Sequence, residues 1–218
     1  MRNDQELKTD VIAELNWQPS LRNEEIGVAV KDGVVTLSGD VSSYARKFEA
    51  ERAAESVHGV KAVAIDLSVK LPHSFIHTDT EVAHAALQAL KWDVEVPDDK
   101  IQMRVEDGRV ILEGEVEWQY QRAAAERAVR YLAGVKSVTN LITMKAHKIS
   151  SYDVSQKIKD AFKRSAEVDS SRISVESADG KVILKGNVRS WAERRDAENA
   201  AWSAPGVVQV DDRLAVSL

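Results

Sequence analysis

Histidine and carboxylate side chains gather in one short stretch of the chain. His73, His77 and His84 lie close in sequence to Asp79, and imidazole and carboxylate groups are common zinc ligands. The first two histidines would share a face if their segment were helical. Pro72 and the polar residues around it favour a loop instead. We therefore predict no metal site and no cofactor at these residues.

Catalytic residues are not predicted elsewhere either. Nucleophilic catalysis needs a nucleophile and a paired base that converge in one pocket. The chain has no cysteine, which removes disulfides, thiolate nucleophiles and zinc-thiolate sites. Its acids and hydroxyls are scattered over faces that the sequence pattern predicts to be solvated. We expect a protein that is not an enzyme.

Charge is distributed unevenly along the chain. The net charge is −5 without a block of five or more like charges, which argues against nucleic acid as a partner. Residues 1–75 and 76–147 each carry 9 basic and 12 acidic residues, a net charge of −3, whereas residues 148–218 carry 12 and 11, a net charge of +1. Four cations of the last third lie on a predicted helix: Lys157, Lys159, Lys163 and Arg164.

Two interpretations of these four cations stay open. In the first, they are solvated side chains on an exposed face of the helix and bind no ligand. Alternatively they could contact anionic phospholipid headgroups, because several juxtaposed cations each gain about 1 kcal/mol near such a surface. We adopt the second interpretation as a hypothesis for the binding site.

The elements that position these cations are encoded three times. The sequence DGVVTLSGDV begins at Asp32, DGRVILEGEV at Asp107 and DGKVILKGNV at Asp179, which gives offsets of 75 and 72 residues. Asp-Gly favours a tight hairpin turn with positive φ, and the apolar residues that follow alternate at period two. Each copy therefore predicts the second strand of a hairpin, and three copies predict three domains. We place them at residues 1–71, 76–146 and 149–218.

Each repeat has the same predicted order of elements. An amphipathic helix is followed by a strand hairpin, an alanine-rich helix and a closing strand. We predict an α+β fold of three tandem αββαβ repeats, each a small three-stranded mixed sheet with two helices on one face. The hairpins contain six recurrent glycines: Gly33, Gly39, Gly108, Gly114, Gly180 and Gly186. The second glycine of each pair shares a predicted face with core residues, so we expect it to leave room for the alanine-rich helix.

The alanine-rich helices carry a recurrent charge pair in which a cation precedes a glutamate by four residues. The pairs are Lys47 with Glu51, Arg122 with Glu126, and Arg194 with Glu198. We predict exposed ion pairs that contribute a few tenths of a kcal/mol each. Contact of the cations with an anion is the alternative.

Tryptophans are expected where repeats meet. Units of roughly 70 residues bury only about 60% of their unfolded surface, so neighbouring repeats should pack together. Trp17 and Trp92 occupy equivalent positions near the ends of the first helices, and Trp191 matches Tyr44 at the start of the alanine-rich helix. Such rings suit both membrane interfaces and seams between repeats, and we favour the seams. Two further rings, which have no aromatic counterparts, would mark individual contacts: Trp118 and Trp202.

The combined pattern resembles a known family. The DG-V-x-L-x-G-x-V hairpin, the alanine-rich helix and a closing G-V-x-x-V-x-N segment are similar to the BON domain, named for bacterial osmotically inducible protein Y and nodulation proteins. The closing motif is best kept in repeat two, whereas Ile65 and Asp212 replace its asparagine in repeats one and three. In repeat two the motif residues are Gly134, Val135, Val138 and Asn140. The resemblance covers residues 5–71, 78–145 and 151–217.

The resemblance implies a non-enzymatic module of stress adaptation or envelope maintenance. For this family, binding to phospholipid surfaces has been proposed, and another branch is linked to potassium. The polar start, MRNDQELKTDV, and the lack of a run of transmembrane length favour a cytoplasmic protein, or a periplasmic one if a signal sequence precedes the chain. The sequence pattern predicts no particular oligomeric state.

Three functional hypotheses follow. The leading one is a cytoplasmic osmotic-stress protein that binds an anionic phospholipid surface or a protein partner. The second is a sensor of potassium or calcium, for which the acidic turns at Asp98–Asp99 and Asp211–Asp212 could supply ligands, although no stretch has the spacing of a calcium loop. The third is a purely structural protein-interaction array.

Overall fold

The computed structural model describes residues 3–145, 151–166 and 168–217, and three similar units follow one another along the chain. Unit 1 contains α1 (Asp4–Trp17), β1 (Glu25–Lys31), β2 (Val34–Val41), α2 (Tyr44–Ser56) and β3 (Ala62–Val69). Unit 2 contains α3 (Asp79–Trp92), β4 (Ile101–Glu106), β5 (Arg109–Val116), α4 (Gln119–Arg130), β6 (Ser137–Asn140) and β7 (Thr143–Met144). Unit 3 contains α5 (Ser151–Arg164), β8 (Ile173–Ala178), β9 (Lys181–Val188), α6 (Trp191–Trp202) and β10 (Gln209–Val216).

Each unit is built on a mixed sheet whose central strand is the second strand of the hairpin. In unit 1, β2 pairs antiparallel with β1 and parallel with β3, and the other two units repeat this topology. Helix α1 packs on β1 and α2, and α2 packs on β2 and β3. Val35 and Leu37 of the central strand are fully buried, as is Ala50 of α2. The predicted αββαβ fold is confirmed.

A carboxylate at the start of the first helix binds the hairpin turn. Asp32 and Gly33 have φ values of 53° and 81°, and their N–H groups donate to the Asp4 carboxylate at 2.8 and 3.1 Å. Asp79 accepts the same two bonds in unit 2, at 2.8 and 2.9 Å. The helix therefore begins beside the turn. Since it spans 14 residues, its last residue lies about 20 Å away, at the opposite end of the unit.

The second hairpin glycine has a different role from the predicted one. Gly39, Gly114 and Gly186 have φ values of 119°, 144° and 131°. A Cβ at each of them would collide with a backbone carbonyl oxygen at the start of the unit's first strand, that of Lys100 in the case of Gly114. The expectation that these glycines make room for the alanine-rich helix was wrong. They are needed for the left-handed backbone and the close strand approach.

The recurrent cations of the second helices also have other partners than predicted. Each reaches across to the closing strand of its own unit. The bonds are Lys47 Nζ to the Leu67 carbonyl at 2.7 Å, Arg122 Nη2 to the Asn140 carbonyl at 3.2 Å, and Arg194 Nε to the Asp212 carboxylate at 2.6 Å. The prediction of exposed i,i+4 ion pairs was wrong, because these half-buried cations attach the helix to the sheet.

The closing motif binds the second helix of unit 2 to its closing strand. Asn140 donates to the Arg122 carbonyl at 2.9 Å and accepts from Ile142 N–H at 3.2 Å, and the strand is interrupted there between β6 and β7. In unit 3, Asp212 accepts from Leu214 N–H at 2.9 Å. A carboxylate thus replaces the acceptor oxygen of the amide.

The three second helices contact one another in order. By the repeat offsets, Phe48, Ala123 and Arg195 are equivalent, as are Glu55, Arg130 and Trp202. Each residue of the first set lies beside the next unit's residue of the second set, in contact at two seams and across a cleft at the seam between units 2 and 3. The Arg130 guanidinium lies 3.5 Å from the Phe48 ring centroid, Ala123 and Trp202 line one cleft, and Arg195 lies 4.0 Å from Glu55.

These contacts join unit 1 to unit 2, unit 2 to unit 3, and unit 3 back to unit 1. Interfaces of one head-to-tail type that return to the first unit close a ring. The units are therefore related by an approximate three-fold rotation. Because rotation about one axis keeps equivalent residues at the same height, the ends of all three first helices lie at one height along that axis.

The glycine at the second hairpin position gives a stability prediction. Gly114→Ala should lower the free energy of unfolding by about 2 kcal/mol or more, because it adds left-handed strain and a collision with a carbonyl oxygen. Gly27→Ala is the matched control, since its Cβ would meet only the Ser38 hydroxyl, at 2.9 Å, which can rotate away. Urea unfolding followed by circular dichroism measures both variants. Equal midpoints for the two would contradict the explanation.

Candidate functional site

The ends of the first helices form the candidate site. Helices α1, α3 and α5 end at the equivalent residues Trp17, Trp92 and Arg164. The two tryptophans are 76% and 82% exposed, and Arg164 is exposed as well. The expectation that these two tryptophans pack in seams was therefore wrong. The structure instead places one of the predicted cations at the position that the tryptophans occupy in the other units.

A second exposed position accompanies the first. Five residues before the helix ends lie Ile12, Leu87 and Lys159, again equivalent and again exposed. We call these six side chains the helix-end surface: Ile12, Trp17, Leu87, Trp92, Lys159 and Arg164. Units 1 and 2 contribute apolar and aromatic groups to it, and unit 3 contributes two cations. Positions five residues apart lie about 140° from each other around a helix, so the two members of each pair lie on different flanks.

The four predicted cations of α5 lie on two flanks of the helix. Ile158 and Phe162 are buried in the core of unit 3 and separate the flanks. Helical spacing places Lys157 near Arg164 on one flank and Lys159 near Lys163 on the other. The Lys163 ammonium lies 3.3 Å from the Asp160 carboxylate, which partly neutralises that flank. These cations therefore do not form one continuous patch.

The predicted seam contact of the third tryptophan is confirmed. Trp191 donates from Nε1 to the Val60 carbonyl of unit 1 at 3.0 Å and packs against the core of that unit. Tyr44, at the equivalent position, packs against the core of unit 2. Trp118 and Trp202 line a cleft between units 2 and 3, and the expectation that they mark individual contacts stays a prediction.

Two of the acidic side chains proposed for cation capture, Asp211 and Asp212, are engaged with the protein. Arg213 binds Asp211 at 2.8 Å and Lys181 lies 3.3 Å from it, and the Arg213 hydrogen bond is the main cause that lowers the Asp211 pKa to about 2. Asp212 is bound by Arg194, and Asp79 holds a hairpin turn. Within residues 3–145, 151–166 and 168–217, no group of three or more His, Cys, Asp or Glu side chains could hold a metal ion. In the same residues no helix is long and apolar enough to cross a bilayer.

Comparison with known proteins identifies the family. The model of the BON domain family matches residues 3–70, 78–146 and 152–217. The chain belongs to the BON domain family. The resemblance seen in the sequence is thus confirmed, and the three units are BON units. The chain is also similar to osmotically-inducible protein Y of Escherichia coli (strain K12), with 32% identity over 142 residues that cover 63% of this chain and 71% of that protein.

Two solved structures show weaker similarity. Both are of CdsD, a structural protein of the type III secretion system of Chlamydia trachomatis. One has 16% identity and a TM-score of 0.29, covering 97% of this chain and 92% of that chain. The other, of the C-terminal domain, has 14% identity and a TM-score of 0.28 with full coverage of both chains. Scores this low do not establish a shared arrangement of units.

Sequence analysis missed a buried carboxylate in the third BON unit. Glu193 is 3% exposed and accepts from the N–H groups of Asp169 and Arg189 at 2.8 and 2.7 Å. Burial alone would raise its pKa, but these bonds and the Arg189 side chain outweigh burial and lower the pKa. Gln121 at the equivalent position of unit 2 also accepts backbone N–H groups, from Glu117 and Trp118. The recurrence of an acceptor side chain there was the available signal.

Glu51 of the first BON unit gives a pH-dependent prediction. Burial, followed by repulsion from Glu55, raises its pKa above the usual value. A carboxyl with a raised pKa in the fold favours the protonated state, so its ionisation destabilises the fold as the pH rises through that pKa. Glu51→Gln should therefore melt roughly 1–3 °C above wild type at pH 7 and level with it near pH 4.

Thermal melts at the two pH values measure this difference. Glu113→Gln is the control, since it removes the same charge from an exposed position on the second BON unit. A melting temperature of Glu51→Gln at pH 7 that is equal to or below that of wild type would refute the assignment.

Proposed function

We propose that the helix-end surface docks this BON protein on anionic phospholipid membranes, as a non-catalytic component of cytoplasmic adaptation to osmotic stress. The exposed ends of the first helices are the main support for this proposal. Three equivalent helix ends, at one height along the ring axis, expose Trp17, Trp92 and Arg164. Tryptophan and arginine are the side chains that suit the headgroup layer of a membrane.

The tryptophans supply the apolar part of this binding. A tryptophan that is more than three-quarters exposed leaves a large apolar area in water. At the headgroup level its ring can bury that area while its N–H stays hydrated. Ile12 and Leu87, on the other flank of the same two helices, expose further apolar area. This contribution should depend little on salt.

The cations of unit 3 supply the electrostatic part. Lys159 and Arg164 are exposed near the C-terminal end of α5, and each should gain about 1 kcal/mol at an anionic surface. This attraction is screened over about 10 Å at 0.1 M salt. Asp160 reduces the contribution of Lys163. We therefore expect selectivity for acidic lipids that declines as salt is raised.

Cosedimentation with vesicles tests the proposal. Vesicles of phosphatidylcholine alone and of phosphatidylcholine with 30% phosphatidylglycerol are compared at low and moderate salt, with the wild type and two double variants. Lys159→Glu with Arg164→Glu should abolish the preference for acidic vesicles, because it reverses both cations. Trp17→Ala with Trp92→Ala should weaken the salt-resistant part of binding without lowering the melting temperature, since both rings are exposed.

A charge-matched control lies at the other end of the first helices. Lys31→Glu with Arg109→Glu makes the same change in net charge at the hairpins, about 20 Å from the helix ends. It should keep most of the binding to acidic vesicles. Equal loss in the control and in the Lys159/Arg164 variant would show that only net charge matters and would refute the placement. Absence of wild-type binding to either vesicle would reject the lipid proposal in favour of a protein partner.

A further inference from the structure

The seam between units 2 and 3 lacks the aromatic residue that the other two seams have at the start of a second helix. At the start of the second helix, Tyr44 of unit 1 inserts against unit 2 and forms a hydrogen bond with the Val138 backbone. Trp191 of unit 3 inserts against unit 1 and binds the Val60 carbonyl. Unit 2 has Gln119 at this position. Its side chain is smaller than either ring.

An open cleft occupies that seam. It has a volume of about 630 Å³ and lies between the first turn of α4 and the last turn of α6, within the range of roughly 300–1,000 Å³ typical of small-molecule sites. Three aromatic side chains line it, those of Trp118, Tyr120 and Trp202. Ala123 also lines it, at the position where unit 1 has Phe48. The seam thus has two small side chains where the first seam has two rings.

One buried side-chain oxygen in this seam has no hydrogen-bond donor among the described residues. The Oε1 atom of Gln119 is buried and accepts no hydrogen bond from the part of the chain that the structure describes. A buried acceptor without a donor is costly, so a ligand that supplies an N–H or O–H group would be favoured. The Trp202 indole is held in place by a 3.2 Å hydrogen bond from its Nε1 to Glu198. It therefore offers its ring to the cleft, while its donor is already used.

We propose that this cleft binds a small planar aromatic molecule that carries an N–H or O–H donor, of the indole or phenol class. The ring would lie against Trp202 and Tyr120, beside Ala123, where unit 1 has Phe48. Its donor would bind Gln119 Oε1 after a rotation of the Gln119 side chain brings this buried atom to the cleft. The cleft lies at a seam and not on the helix-end surface, so ligand binding is independent of membrane docking.

Titration of the intact protein with indole tests the site. Saturation-transfer NMR should detect binding, and calorimetry should give one site with a Kd on the order of 1 mM, as expected for a ligand of this size. The comparison ligand is 1-methylindole, which keeps the ring but lacks the donor. It should bind roughly tenfold more weakly, because Gln119 Oε1 then stays unpaired.

Variants that fill the cleft test its location. Gln119→Trp places in unit 2 the ring that unit 3 has at this position, and Ala123→Phe reproduces Phe48 of unit 1. Each should abolish indole binding and raise the melting temperature. Gln88→Trp is the control, because it adds the same side chain at an exposed position of α3 and should leave binding unchanged.

Each outcome decides for or against the site. Loss of binding in a folded cleft-filling variant, with binding retained in Gln88→Trp, supports it. Two variants are used so that one can report if the other does not fold. No saturable binding of indole to the wild type, undiminished binding in either folded cleft-filling variant, or equal affinity for 1-methylindole overturns the proposal.

Discussion

The contact between the first turn of one second helix and the last turn of the next determines how this protein is assembled. Units of about 70 residues bury only about 60% of their unfolded surface and are marginally stable by themselves, and alanine-rich helices such as α2 give each core little bulk. The seams compensate for this, because Tyr44 and Trp191 complete the cores of neighbouring units. Closure into a ring gives every unit two such contacts. A linear row would leave two units with one contact each.

The three seams use equivalent residue positions but different side-chain interactions. Phe48 meets Arg130 through a cation–π contact, Arg195 meets Glu55 through an ion pair, and Ala123 leaves Trp202 facing a cleft. Backbone geometry is kept by the hairpin glycines and by the carboxylates that hold the turns of units 1 and 2. Side chains at the seams and helix ends can therefore diverge between units without loss of the fold. This separation explains how one unit can present cations and another a ligand-sized cleft.

The fold could be predicted from the sequence because its signals are local. Asp-Gly turns, period-two strands and the repeat offset all lie within short segments, and the structure agrees with them. The role of Gly114 could not be predicted in this way, since the collision with the Lys100 carbonyl appears only when the strands are paired. The exposure of Trp17 and Trp92 depends on how the units are arranged in the ring. The reach of Lys47 to the Leu67 carbonyl likewise depends on where the closing strand lies, which helical spacing does not encode.

Distances between equivalent residues of the three units test whether the units form a ring. Asn16, Lys91 and Lys163 are equivalent and exposed near the ends of the first helices, and the chain has no cysteine of its own. Cysteines introduced at two of these positions at a time can carry spin labels for pulsed electron–electron distance measurements. An approximate three-fold arrangement predicts three similar mean distances from the three pairs. An Asn16–Lys163 distance close to the sum of the Asn16–Lys91 and Lys91–Lys163 distances would indicate a linear row of units and would contradict the ring.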